Sequence, residues 1–141
     1  MKYATRMLVL ALTMLPLVAT AQLSGGEKIV AQVPFEFVLG SKVVPPGEWI
    51  VQTANMYGSV LQIRNKAAAV SLMFMPSLVG DKRAAGDCTL VFHKYGSTYF
   101  LAKVRIAGSD NSYQLPESKA EAEILAKNVP VTNEILVASR K

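Results

Sequence analysis

The chain has very little with which to build a metal centre or a cystine framework. Its 141 residues include one cysteine, Cys88, and one histidine, His93. One thiol and one imidazole fall short of the tetrahedral ligand set that zinc requires, so neither a metal nor another cofactor is expected. A lone cysteine also excludes an intramolecular disulfide, and the fold must rest on apolar packing. Cys88 opens an apolar run and reads as a small buried filler; a disulfide between chains is the alternative. No GxSxG nucleophile turn occurs, and Asp81, Asp87 and Asp110 do not match EF-hand spacing. A basic stripe is missing as well. Lys28, Lys42, Arg64, Lys66, Lys103 and Arg105 are scattered, and only Lys82-Arg83 and Arg140-Lys141 adjoin. A nucleic-acid binder neutralises several phosphates together, so nucleic acid is not the expected partner.

Long apolar runs are few, and the first lies at the N-terminus. Lys2 and Arg6 precede an apolar stretch from Met7 to Val18, and Ala19-Thr20-Ala21 supplies a small-x-small pattern. This is the layout of a secretory signal peptide over residues 1–21, cleaved between Ala21 and Gln22. The run is shorter than the roughly 20 residues of a spanning helix, so no stable membrane span is expected after cleavage. The expected destination is the periplasm or the cell exterior. Loss of Lys2 and Arg6 lowers the formal charge from +5 to +3. Residues 22–28 read as a flexible mature N-terminus and 29–141 as a single β-rich domain, long enough to bury a core without staples.

From Ile29 to Phe37 apolar residues alternate with Val30, Gln32, Pro34 and Glu36, the period of a half-buried strand. Pro34 has no backbone donor, which places it on an edge strand or at a bulge. Gly40-Ser41 permits a tight return into Lys42-Val43-Val44, and Pro46-Gly47 suits a type II turn. Strands are expected over Glu48–Ala54 and Ser59–Arg64, with Leu61 and Ile63 inward. The apolar run Ala67–Met75 suggests a strand covered on both faces. Residues 76–87 and Ala107–Pro116 read as loops. Between them lies the strongest hairpin, Cys88–Tyr95 and Thr98–Ile106 around Gly96-Ser97, a pair suited to a type II′ turn. That register sets His93 opposite Phe100, Val91 opposite Ala102 and Thr89 opposite Val104. Ser118-Lys119-Ala120-Glu121 is a capping box opening a helix over about 118–128, ended by Asn128 and Pro130. Val131–Ser139 is the last strand. Seven or eight short strands joined by tight turns imply antiparallel pairing, hence a β-sandwich or a small, partly open β-barrel with one short helix.

Candidate chemistry is thin. His93 is the one side chain that naturally titrates near neutrality; its apolar neighbours favour a buried structural role over general-base work. The aromatics Trp49, Tyr57, Tyr95, Tyr99 and Tyr113 sit near strand ends or turns, where a ring can stack on a sugar or peptide. The leading expectation is a non-enzymatic exported β-domain with a structural or binding role, its partner a surface polymer, a peptide or an apolar small molecule. A small hydrolase-like enzyme using His93 with a carboxylate is the first alternative. An assembly subunit that adds an edge strand to a neighbour is the second.

Three strings carry a resemblance. They are Val33-Pro-Phe-Glu-Phe-Val38, Pro45-Pro-Gly-Glu-Trp49 and Phe92-His-Lys-Tyr-Gly-Ser-Thr-Tyr-Phe100, followed by Leu115-Pro-Glu-Ser118 and the AEAE of residues 120–123. Together they resemble an uncharacterised family of small exported bacterial β-proteins with VPFxF, PxGxY/W and FHxYGxxYFL motifs. The likeness spans most of the chain after the signal. It implies export and a β-fold, and it brings no catalytic residues with it.

Overall fold

The computed structural model describes residues 27–55, 57–82 and 86–140. The expected signal peptide and residues 22–26 of the expected flexible N-terminus lie outside these. The elements run β1 (Lys28–Val33), β2 (Phe37–Leu39), β3 (Lys42–Val44), β4 (Gly47–Thr53), β5 (Leu61–Asn65) and β6 (Val70–Phe74). They continue with β7 (Ser77–Gly80), β8 (Cys88–Tyr95), β9 (Thr98–Arg105), β10 (Asn111–Gln114), α1 (Lys119–Ala126) and β11 (Thr132–Arg140). Nine strands form one strongly curled, open half-barrel in the order β3-β2-β9-β8-β11-β1-β4-β5-β6; β10 pairs with β9 and carries β7. The mainly β class with one short helix is therefore as expected, although the described residues form eleven short strands and not the expected seven or eight.

Local chemistry set most of these elements. Two Gly-Ser pairs turn the chain in two residues: Gly40-Ser41 joins β2 to β3 and Gly96-Ser97 joins β8 to β9. Both glycines hold a positive φ, 63° and 61°, and neither serine does, which is the backbone signature of a type II′ turn. Ser118 caps α1 by accepting the Glu121 amide at 3.1 Å. Asn128 takes a φ of 57° just past the helix, a conformation that asparagine tolerates at helix ends.

Four departures have physical causes. The alternation from Ile29 to Phe37 is two strands, because Pro34 ends pairing after β1. The chain then re-enters as β2, whose Val38 pairs in parallel with Phe100 of β9. The run Ala67–Met75 is a turn followed by an edge strand, with Met73 and Met75 exposed and Leu72 and Phe74 packed inward. The two expected loops each hold a short strand, and β7 and β10 pair with one another through Val79 and Ser112. The hairpin register holds from Tyr95↔Thr98 through His93↔Phe100, then slips at a bulge between Val91 and Phe92. Val91 therefore faces Lys103 and Thr89 faces Arg105. Ala102 is the extra residue, and its carbonyl accepts the Leu115 amide at 2.9 Å, one step beyond the β9–β10 pairing.

The core lies on the concave face. Ile29, Val33, Phe37, Leu39, Trp49, Ile63, Leu90, Phe92 and Val104 are almost wholly enclosed there. Full burial of one such side chain contributes about 1.5–3 kcal/mol. Cys88 is buried beside them, and its Sγ accepts the Ala107 amide at 3.3 Å. On the other face of the β8–β9 ribbon, Val91, Tyr95 and Phe100 are also buried. Glu121 of α1 reaches this second layer, so the helix lies against the convex side.

Candidate functional site

His93 and Tyr95 alternate with the core residues of β8, so both project from the face that α1 covers. Helical spacing puts Glu121 in the first turn, three residues past its cap, with its side chain aimed at the sheet. His93 Nδ1 lies 2.6 Å from Glu121 Oε1, and the Tyr95 hydroxyl donates to the same oxygen at 2.9 Å. The side chain of Glu121 is 7% exposed, whereas that of His93 is 37% exposed. His93 is thus half open, not the enclosed histidine that its apolar neighbours suggested. Burial, then the hydrogen bond to Glu121, push the Tyr95 phenol up to about 12. The capping box is only half made. Ser118 receives the Glu121 amide, while the Glu121 side chain serves the sheet instead of returning to the cap.

The five candidate aromatics separate into distinct roles. Trp49 is fully buried, its indole N–H donating to the Pro45 carbonyl at 3.2 Å; it is a core residue and presents no ring to a ligand. Tyr95 is buried at 4% exposure and likewise presents no ring to a ligand. Tyr57 is 82% exposed in the turn after β4. Tyr113 is half-buried on β10 beside Gly58, and burial followed by the nearby Glu27 charge raises its phenol pKa. Tyr99 stacks on Phe35 with centroids 3.8 Å apart and rings 14° from parallel. Lys94 Nζ sits 5.3 Å from the Tyr99 centroid.

Phe35 links this surface pair to the core. Its ring meets Phe92 edge-on at 5.1 Å, Phe92 meets Phe37 at 5.2 Å, and Phe37 meets Trp49 at 5.1 Å. A file of aromatic rings thus runs from the core to the rim. There, β2 joins β9 through one parallel bridge pair, Val38↔Phe100, and a cleft lies beside the start of both strands. The cleft holds about 360 Å³ and is lined by Phe35, Glu36, Phe37, Val38, Val43, Ser97, Thr98 and Tyr99. Val43 is 65% exposed on its wall. No family model, curated protein or solved structure matches this chain. The cleft and the His93–Glu121–Tyr95 cluster therefore have to be read from their own geometry. His93 does not line the cleft.

Asp81, which falls within the expected loop over residues 76–87, is half-buried. Its Oδ2 accepts Arg105 Nε at 2.8 Å and lies 3.6 Å from Lys103 Nζ. This pins the end of β7 to β9, a structural task. Among the described residues, no group of three or more His, Cys, Asp or Glu side chains is arranged to hold a metal ion.

Proposed function

We propose that this chain is an exported, non-enzymatic β-domain of the periplasm or cell exterior, and that its role is to bind. The single observation that carries this reading is the rim cleft. It lies between the segment leading into β2 and the start of β9, backed by rings continuous with the core and edged by Glu36, Ser97 and Thr98. Mixed lining and a volume of about 360 Å³ suit a short segment of a chain, because such sites combine apolar walls with a few orienting polar groups. A surface polymer or an extended peptide is the partner class that this favours. The signal-like N-terminus supports export.

The test is a chemical-shift titration of the labelled protein against envelope polysaccharide fragments and a peptide pool. Binding should move the amides of residues 35–43 and 97–99 first, and Tyr99→Ala should weaken it by about tenfold, the worth of one well-placed aromatic contact. Shifts confined to another face would sink the reading.

One observation favours the hydrolase-like alternative. The 2.6 Å contact of His93 with Glu121 is the geometry of a base oriented by a carboxylate. Against it, Glu121 is committed to Tyr95 as well and is enclosed beneath α1. Hydrolysis of p-nitrophenyl acetate above an imidazole control, lost in His93→Ala, would decide for the enzyme.

A further inference from the structure

The strand faces of β1, β4, β5 and β6 that point away from the core carry an unusual charge distribution. Register sets Ile50 beside Arg64 and Arg64 beside Ser71. Lys28 enters from β1, and Lys66 from the turn after β5. Together they line a groove of about 480 Å³ whose lining includes no Asp or Glu. The nearest acid in sequence register, Glu48, accepts the Gln32 side chain at 3.1 Å and lines the neighbouring groove. Among the described residues, ion pairs form at His93–Glu121, at Asp81 and at Arg140–Glu27, and none involves Lys28, Arg64 or Lys66.

Two further details point to a ligand. Among the described residues, no acceptor pairs with Arg64 Nε, which is buried, so the guanidinium is not tied down by the protein and its terminal nitrogens are left to meet a ligand. The adjoining wall is held in place without using that donor. Gln52 Nε2 donates to Gln62 at 2.8 Å, and Gln62 Nε2 donates to Ser71 Oγ at 3.1 Å. This leaves the Ser71 hydroxyl proton free to turn into the groove.

We propose that this groove is an oxyanion-binding site that takes a phosphate or carboxylate group carried on a polar ligand. Arg64 supplies the planar fork that such groups accept, with Lys28 and Lys66 as flanking charges. The volume admits the anionic group together with one or two sugar-sized rings. The site lies on different strands from the rim cleft and is independent of the function proposed there.

The test uses calorimetric titration of the full chain with three probes: inorganic phosphate, trigalacturonate and neutral maltotriose. One or both anions should bind while maltotriose does not, and the stronger of the two identifies the source of the oxyanion. Arg64→Gln should weaken that binding by about 10- to 100-fold, the usual worth of a charge-assisted contact, and leave the rim cleft titration unchanged. Raising salt from 50 to 500 mM should weaken it as well. If Arg64→Gln does not fold, the double variant Lys28→Gln/Lys66→Gln and the salt series carry the test. The proposal is overturned if neither anion binds, if maltotriose binds equally, or if these changes leave affinity unaltered.

Discussion

Glu121→Ala tests whether the convex layer holds the helix to the sheet. The substitution removes the acceptor of two hydrogen bonds, at 2.6 Å to His93 and 2.9 Å to Tyr95. The two losses are unequal. His93 is 37% exposed, so water replaces much of what its imidazole loses. Tyr95 is 4% exposed, so its hydroxyl is left buried and unpaired, at about 1–3 kcal/mol. With the charged bonds themselves worth about 1.5–3 kcal/mol each before the cost of burying the carboxylate is set against them, the net loss is about 3 kcal/mol. For a domain of this size that lowers the Tm by about 12 °C. Trp49 is the only tryptophan and is wholly enclosed, so its emission in a urea titration reports unfolding of the core directly. Tyr95→Phe alone should cost about 1 kcal/mol. The double variant should be more stable than the sum of the two by about 1–2 kcal/mol, since no orphan hydroxyl remains. Glu121→Gln, which keeps an acceptor, should fall between Ala and the parent. A Glu121→Ala cost below about 1 kcal/mol, or strict additivity with Tyr95→Phe, would refute the argument.

Other perturbations follow from the same geometry. The folded Tyr95 phenol sits near 12 against an ordinary 10, so its contribution is full below pH 10 and is lost as pH rises through 12; denaturation profiles of the parent and Tyr95→Phe should converge across that window, and parallel curves would contradict it. Gly58 has a φ of +65°, and a Cβ there would fall 2.9 Å from the Tyr113 hydroxyl. Gly58→Ala should therefore cost about 1–2 kcal/mol by thermal melt, with part of the loss recovered by Tyr113→Phe. Cys88 is buried, so a thiol reagent should label it only as fast as the domain opens; rapid stoichiometric labelling of folded protein would show the site to be accessible.

The legibility of the sequence tracked how local each determinant is. The Gly-Ser turns, the Ser118 cap, the alternation of β4 and β5 and the His93↔Phe100 pairing depend on residues close in the chain, and all were readable. Period and turn chemistry also sufficed for the mainly β class. Pairings over long separations were not readable. Nothing in residues 76–87 or 107–116 shows a strand period, because β7 and β10 are four residues each and become strands only by pairing, β10 with β9 and β7 with β10. The run Ala67–Met75 misled for a related reason: apolar composition records what a strand can bury, while its place at the sheet edge depends on how many strands lie beyond it.

The candidate sites divide along the same line. Aromatic residues could be picked out by type, but only packing showed that Trp49 and Tyr95 are enclosed and that Phe35, legible only within the strand alternation and the VPFxF string, stacks on Tyr99 at the rim. Glu121 was legible as a capping residue and illegible as the partner of His93, since 28 residues separate them and the helix must dock before they meet. Lys28, Arg64 and Lys66 are scattered in the chain and read as ordinary surface charge. The antiparallel register of β1, β4 and β5 gathers them around one groove whose lining includes no acid. Sequence alone determined the turns, the cap and the fold class, because each rests on steric and hydrogen-bonding preferences within a few residues. Which charges and rings stand together was decided by tertiary structure, because sheet order is a property of the whole chain's burial.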